Sequence, residues 1–224
     1  MVSSLIKKLV PAQVKQKIKL ACGVPDTSAC LAAMRQRGFE PKVAIDVGAY
    51  AGEWTTGLLR QFPETRVLMI EPQSAQRECL EAVTRLHPGT ALSSVLLGPT
   101  AFSSVEFYQA ETGSSVLRDP GNSGAVATQM AMTTLDSIAR GTDFAHADFL
   151  KLDVQGFELE VLKGSEQVLR SAEAVMMEVN LIAVYEGSPL VHRWWRSWRR
   201  TGSASTMSAR SIGAPMTMRF GRWT

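Results

Sequence analysis

Short apolar runs rich in β-branched residues alternate along this chain with segments whose apolar positions recur at helical spacing. The runs predict strands at Val43–Val47, Arg66–Ile70, Ala91–Leu97, Phe149–Val154 and Ala174–Val179. The intervening segments predict helices at Thr27–Arg37, Glu53–Gln61, Ser74–Leu86, Leu135–Ala139 and Glu158–Arg170. This order is typical of an α/β fold in which a mostly parallel sheet carries helices on both faces.

The stretch between the third and fourth of these strands is long. Ser104–Tyr108 has the pattern of an additional strand, whereas Gln109–Thr133 is rich in Gly, Ser and Thr. We expect this second segment to be a loop that faces substrate, because long loops in compact domains are usually functional. Ser114 and Ser115 are candidate substrate contacts in it, although a solvated serine pair is the commoner arrangement.

Length and composition fit one domain with a substantial core, since 45% of the 224 residues are hydrophobic and 20% are charged. The three cysteines lack the spacing of a disulfide framework, which favours a reduced, cytoplasmic compartment. No apolar run approaches the roughly 18 residues of a membrane span. No His, Cys or Asp cluster has metal-ligand spacing, so no metal is expected.

The net charge of +3 is unevenly distributed. Residues 193–224 hold seven arginines and no acid, which leaves 17 basic against 21 acidic residues in the rest of the chain. The charge therefore gives no reason to expect a nucleic-acid partner. Residues 1–40 predict a helical, partly basic extension, which would either pack on its own domain or make a weak contact with a membrane surface.

The first strand leads into the run A-I-D-V-G-A-Y-A-G-E-W-T, residues 44–55. A strand, a glycine turn and a helix start form the usual nucleotide-binding corner of such sheets. Gly48 lets the backbone pass close to a ligand, and Gly52 lets helix and strand approach each other. Asp46, Val47, Gly48 and Gly52 are therefore candidate cofactor contacts.

The second strand ends in I-E-P, which adds Glu71 and Pro72 to the candidate cofactor contacts. A carboxylate there can accept both hydroxyls of a ribose, and we expect Asp46 and Glu71 to lie at exposed strand ends. The corner alone also fits a nicotinamide-dependent enzyme. However, Tyr50 stands where G-x-G-x-x-G has its second glycine, and an acid precedes Gly48, which favours S-adenosylmethionine.

The most informative stretch is F-L-K-L-D-V-Q-G-F-E-L-E-V-L-K-G, residues 149–164. Together with I-D-V-G (45–48), I-E-P (70–72), T-L-D (134–136) and M-E-V-N (177–180), in this order, it resembles the FkbM family of methyltransferases. One departure is Gln155, which stands where many family members have glutamate. This substitution argues against a general base at that position.

The resemblance implies a Rossmann-like methyltransferase fold over residues 41–192 and S-adenosylmethionine as the cofactor. It also implies O-methylation of a hydroxyl on a small molecule such as a sugar, a polyketide or another metabolite. Asp153 and Glu178, which end two strands, are the candidate general bases, but either could instead hold a turn or bind the cofactor's amino group. His146 is a weaker candidate base.

Residues 193–224 contain four of the five tryptophans, no valine and no leucine, which does not fit the final helix and antiparallel strands of such a sheet. Residues 193–210 can be written with codons that the genetic code permits for them. Read with a shift of one nucleotide, these codons give E-V-V-A-F-M-A-A-N-G-F-R-V-Y-D-V-C-Q. This sequence has an apolar helical face, then a glycine and then a β-branched run. We therefore expect a shifted reading frame, a tail without native structure and a sheet lacking its final strands. The alternatives are a genuine basic tail that binds an acidic partner and a catalytically defective methyltransferase relic.

Overall fold

The computed structural model describes residues 27–110, 113–122, 124–177 and 185–189, together with the backbone of residues 205–208 and 216–220. The strands are β1 (Val43–Val47), β2 (Arg66–Ile70), β3 (Thr90–Ser93), β4 (Leu96–Leu97), β5 (Phe102–Gln109), β6 (Val126–Thr133), β7 (Phe149–Leu152), β8 (Ala174–Met177), β9 (Ser205–Ser208) and β10 (Met216–Phe220). They form a seven-stranded sheet with the order β3-β2-β1-β7-β8-β10-β9 and a three-stranded sheet with the order β4-β6-β5.

The centre of the larger sheet is parallel and buried on both faces. Every residue of β1, β7 and β8 is buried, which explains why these strands are nearly continuous apolar runs. In the register of the sheet, Val47 pairs with Ile70 and with Leu152, and Leu152 pairs with Met177. The strands therefore end level with one another, and the residues that follow them lie along one edge.

Helices cover both faces of this sheet. They are α1 (Thr27–Gln36), α2 (Glu53–Gln61), α3 (Arg77–Leu86), α4 (Leu135–Ala139), α5 (Glu158–Lys163) and α6 (Glu166–Ser171). Because side chains alternate along a strand, Ile45 joins the core formed with α4, α5 and α6, whereas Ala44 packs with Leu31 and Leu58 on the opposite face. No helix in the described ranges is long and apolar enough to cross a membrane.

The helix predicted over residues 158–170 is divided into α5 and α6 at Gly164. A Cβ on Gly164 would lie 2.3 Å from the carbonyl oxygen of Gly98, so only glycine fits this crossing point. The carboxylate of Asp136 then accepts hydrogen bonds from the backbone N–H groups of Gln167 and Val168, which caps the start of α6. The T-L-D and L-K-G motifs thus build this junction.

The prediction of a single strand over residues 91–97 is wrong, because this segment contributes to two strands that belong to different sheets. Thr90–Ser93 pairs in parallel with β2, and Leu96–Leu97 pairs with β6 in the smaller sheet. Leu96 packs there against Phe107 and Met132. Two apolar stretches separated only by Ser93 and Ser94 read as one strand, and their sequence does not show that the chain changes its partner sheet between them.

The loop predicted over residues 109–133 is also wrong in its second half, where Val126–Thr133 forms β6. This strand pairs in antiparallel fashion with β5, which extends the additional strand predicted at 104–108. Most of β6 lies at the surface and only Met132 is buried. Small polar residues on a half-exposed strand therefore resembled a loop in sequence.

The prediction that the sheet lacks its final strands is wrong as well. Met216–Phe220 runs antiparallel to β8, and Ser205–Ser208 runs antiparallel to β10. The physical reason is that the free edge of β8 offers unpaired backbone N–H and C=O groups to any segment able to extend. The sequence M-T-M-R-F does alternate, and this signal was obscured by the unusual composition around it.

Candidate active site

A cleft of about 630 Å³ opens at the carboxyl edge of the larger sheet. Gly48, Glu71 and Asp153 line it from three strand ends, Trp54 lines it from α2, and Phe107 lines it from the smaller sheet. Its volume lies within the roughly 300–1,000 Å³ typical of small-molecule sites. The smaller sheet therefore completes a site whose floor is the edge of the larger one.

Gly48 forms the tightest point of the floor. Its φ is +74°, and a Cβ at this position would lie 2.0 Å from the carbonyl oxygen of Asp153, so no side chain fits. Its N–H donates to the carbonyl oxygen of Ile70 at 2.9 Å, which ties the turn to β2. The predicted close approach of backbone to ligand is possible here, and Val47 and Pro72 also line the cleft.

Gly52 has a different role from the one predicted. It precedes α2 with φ +85°, and a Cβ there would lie 2.9 Å from Cγ2 of Val83 and 3.3 Å from Cδ2 of Leu80. The close approach is therefore between α2 and α3, rather than between helix and strand. Gly52 is not among the residues that line the cleft.

Glu71 lines the cleft but is buried, so the prediction of an exposed strand end is wrong for it. Its Oε2 accepts a hydrogen bond from the N–H of Tyr50 at 2.9 Å, and its Oε1 accepts one from the N–H of Gln73 at 3.0 Å. Burial raises the pKa of Glu71, and these two hydrogen bonds only partly oppose the increase. The carboxylate is thus held in place beside the turn that begins at Gly48.

Asp46 is fully buried, and the prediction of an exposed strand end is wrong for it too. Its Oδ1 lies 2.9 Å from Nζ of Lys151, and its Oδ2 accepts a hydrogen bond from Oγ1 of Thr55 at 2.7 Å. Asp46 does not line the cleft. The reason is its position within β1, one residue before the strand end, where its side chain points toward α2 and β7.

Lys151 matches a position of the family motif, but the sequence assigned it no role of its own. Its Nζ donates to the carbonyl oxygen of Gly48 at 2.7 Å and lies 4.0 Å from Oδ2 of Asp153. Burial acts to lower the pKa of Lys151, but Asp46 and then Asp153 more than offset this effect, so the pKa is raised. A lysine inside a buried strand needs a partner, and that requirement was the available signal.

Asp153 lies at the carboxyl end of β7, as predicted, although the strand ends at Leu152 and not at Val154. It forms part of the wall of the cleft, with 42% of its side chain exposed. Its Oδ1 accepts a hydrogen bond from Nε2 of Gln155 at 2.7 Å. Its backbone N–H donates to the carbonyl oxygen of Val47 at 3.0 Å, which continues the ladder between β7 and β1. The second candidate base, Glu178, lies outside the described residues.

Glu158 secures the turn that carries Asp153. It is buried, and its Oε1 accepts hydrogen bonds from the N–H groups of Val154 and Gly156, each at 3.1 Å. Burial raises the pKa of Glu158 to about 7, and these bonds oppose the increase only in part. Since Glu158 does not line the cleft, its place in the motif is explained by the turn.

The two serines of the long loop are buried and line the cleft, so the expectation of a solvated pair is wrong. Oγ of Ser115 donates to the carbonyl oxygen of Gln155 at 2.9 Å, which joins the loop to the turn after β7. Ser114 Oγ accepts a hydrogen bond from the N–H of Ala110. His146 is exposed at the amino end of β7, away from the cleft.

Comparisons with known proteins agree with this architecture. The model of the methyltransferase FkbM domain matches residues 46–203. No curated protein matches the chain. The methyltransferase FkbM of Methylobacillus flagellatus KT has a similar structure, with 18% identity and a TM-score of 0.55 over 81% of this chain and 44% of that chain. This chain therefore spans less than half of that protein.

A second similar structure is a chain of a fibrillarin/Nop5p complex. It shows 13% identity and a TM-score of 0.50, and the match covers 86% of this chain and 80% of that chain. At such low identities, both structural matches establish the methyltransferase fold alone.

Proposed function

Since the chain belongs to the FkbM methyltransferase domain family, we propose that it transfers a methyl group from S-adenosylmethionine to a hydroxyl of a small molecule. The acceptor would be a sugar, a polyketide or another small metabolite. One observation carries the proposal: a single cleft joins the Glu71 carboxylate, the Gly48 turn and the half-exposed Asp153 carboxylate. The Glu71 carboxylate can accept hydrogen bonds from ribose hydroxyls, and the Gly48 turn lets the backbone approach the cofactor closely. The Asp153 carboxylate can accept a proton.

The cleft has the chemistry that this cofactor requires. The Glu71 carboxylate accepts two backbone hydrogen bonds and one from the side chain of Gln73, and four lone-pair sites leave it capacity for a ribose hydroxyl. The N–H of Glu71 donates to the carbonyl oxygen of Ser93, which brings the apolar residues Val95 and Leu96 to the same side of the cleft. They offer a surface for an adenine ring. Asp46 would support the cofactor only indirectly, by holding Lys151 against Gly48.

The chemistry that bound S-adenosylmethionine would supply is an electrophilic methyl group on a sulfonium centre. Asp153 would receive the proton of the acceptor hydroxyl on Oδ2, the oxygen to which Gln155 does not donate. Nζ of Lys151 lies 4.0 Å from that oxygen. The hydroxyl oxygen would lose its proton to Asp153 and gain the methyl group, while the methyl–sulfur bond breaks and S-adenosylhomocysteine leaves; most of the remaining catalysis is positioning.

Calorimetric titration tests the cofactor site. We expect S-adenosylmethionine to bind, and Glu71→Gln to weaken binding roughly ten- to hundredfold, because one charged hydrogen-bonding group is lost at about 1.5–3 kcal/mol. Glu64→Gln, an exposed glutamate before β2, is the matched control and should bind as the wild type does. Since the pKa of Glu71 is raised, affinity should also decline as the solution is acidified. Binding of NAD without binding of S-adenosylmethionine would overturn the proposal.

Transfer itself is tested with a radiolabelled methyl donor and a panel of sugars, glycosides and phenols. Asp153→Asn should lower kcat by roughly 10²–10⁴ while leaving cofactor affinity nearly unchanged, as expected for loss of a general base. Asp143→Asn, on an exposed turn before β7, is the control. If S-adenosylmethionine binds and no hydroxyl compound is methylated, the chain is the catalytically defective form.

A further inference from the structure

The side chain of Gln155 joins two groups on different segments of the chain. Its Nε2 donates to Oδ1 of Asp153 at 2.7 Å, and its Oε1 accepts a hydrogen bond from the hydroxyl of Tyr185 at 2.7 Å. Tyr185 is buried. The primary amide is thus held at both ends, with its N–H directed at the carboxylate that lines the cleft.

The backbone of Gln155 is held as firmly as its side chain. Its φ is +55°, a left-handed conformation that residues with side chains rarely adopt. Its carbonyl oxygen accepts a hydrogen bond from Oγ of the buried Ser115, whose own oxygen accepts one from the N–H of Leu117. Such a conformation persists only where surrounding contacts determine it, and such sites cluster where function requires them.

Two more contacts bring the same segments together at the next residue. A Cβ on Gly156 would lie 3.1 Å from Cβ of Ser188 and 3.3 Å from Cδ2 of Tyr185. The turn after β7, the loop around Ser115 and the segment at Tyr185 therefore meet around Gln155. Three separate parts of the chain converge on one amide.

An amide and an acid would act differently at this position. The amide donates a hydrogen bond to Asp153 without carrying charge itself, and the hydroxyl of Tyr185 polarises it further. A carboxyl group at the same site would bring two acidic groups within hydrogen-bonding distance. Two carboxylates that close share a proton, so with glutamate at this position, as in many family members, the pair and not Asp153 alone would accept the acceptor's proton.

We propose that Gln155 is a positioning residue, which Tyr185 and Ser115 hold in place so that it fixes Oδ1 of Asp153 and leaves Oδ2 to receive the acceptor's proton. The inference rests on the proposed function, because it assigns Gln155 a role in the same proton transfer. The inference also assigns a role in this proton transfer to the buried Tyr185, which does not line the cleft.

The isosteric substitution Gln155→Glu is the most direct kinetic test. We expect the acid limb of its kcat/KM profile to move to higher pH by at least one unit, with the affinity for S-adenosylmethionine changed less than twofold. Tyr185→Phe, which removes only the hydroxyl, should lower kcat several-fold with no change in that affinity. Gln167→Glu, the same exchange at an exposed site on α6, should leave the profile unchanged. An unmoved acid limb in Gln155→Glu overturns the inference.

A second measurement does not depend on turnover. The side-chain amide of Gln155 gives ¹H–¹⁵N resonances that are identified by their loss in Gln155→Glu. We expect these resonances to shift in both Tyr185→Phe and Asp153→Asn, each checked for a folded spectrum. Unshifted resonances in a folded variant overturn the inference. Shifted resonances in a protein that does not bind S-adenosylmethionine would uphold the contacts while refuting the proposed function.

Discussion

The buried pair of Asp46 and Lys151 offers the sharpest test of the structure. In Asp46→Ala, the ammonium group of Lys151 loses a carboxylate 2.9 Å away, and Thr55 loses its acceptor. Both charged side chains are buried, so water cannot replace the missing partner. Removing one member of a buried ion pair costs about 3–5 kcal/mol. Since a whole domain has only about 5–15 kcal/mol of stability, this change is severe.

Urea denaturation followed by circular dichroism measures this loss, and a thermal melt should fall by roughly 6–20 °C for a chain of this length. Asp143→Ala is the matched control, because it also removes the acid of an ion pair. Asp143 pairs with Arg66 but is 74% exposed, so its removal should change stability by less than about 1 kcal/mol. Comparing Asp46→Ala with Asp143→Ala separates the effect of burial from the effect of removing a charge.

The double variant with Lys151→Met identifies the source of the loss. Once the lysine is replaced, Asp46→Ala leaves no buried charge without a partner. The double variant should therefore lose less stability than the sum of the losses in the two single variants. A loss below about 1 kcal/mol, or additive single variants, would refute the reasoning.

Three further predictions follow from other positions. Burial raises the pKa of Glu158 from 4.5 to about 7, so its contribution to stability is complete below pH 4.5 and is lost as pH rises to about 7. The decline is roughly 3 kcal/mol, and Glu158→Gln should flatten it in urea titrations; an unaltered slope would contradict this. Gly48→Ala places a Cβ 2.0 Å from the carbonyl oxygen of Asp153 and should abolish cofactor binding or folding. Gly38→Ala, with φ +80° in open space, should cost only about 1–2 kcal/mol in the same melts, and equal losses would count against a steric cause. Finally, resequencing the gene should reveal a one-nucleotide shift before the codons for residues 193–224, and an intact frame in an independent clone would disprove it.

Much of the site was predictable because its positions follow from local sequence. Strands β1 and β2 have the predicted bounds, since buried parallel strands are nearly continuous apolar runs that stop where polar and glycine residues follow. Parallel strands end at one edge, so placing Gly48, Glu71 and Asp153 after three such runs already brought them together. The FkbM motifs specified the order of these elements.

Tertiary structure decided what each side chain contacts. Asp46 and Lys151 lie on neighbouring strands that are far apart in sequence, and their pairing depends on the register of β1 with β7. Hydrophobic periodicity indicates which face a residue occupies, but it does not identify the residue opposite. Asp46 therefore resembled a ligand contact in sequence, whereas the fold makes it the partner of a buried lysine.

The same limit explains the contacts of Gln155 and the last strands of the sheet. The hydroxyl of Tyr185 reaches Gln155 from a segment 30 residues away, and no local pattern encodes that approach. Met216–Phe220 extends along β8 because an open sheet edge supplies the hydrogen-bonding partners that its own sequence cannot specify. The sequence by itself determined the class of fold and the edge where the site lies, because burial and chain reversal leave local patterns. Only the folded chain determined which charges and hydrogen bonds meet there, because those contacts depend on the packing of distant segments.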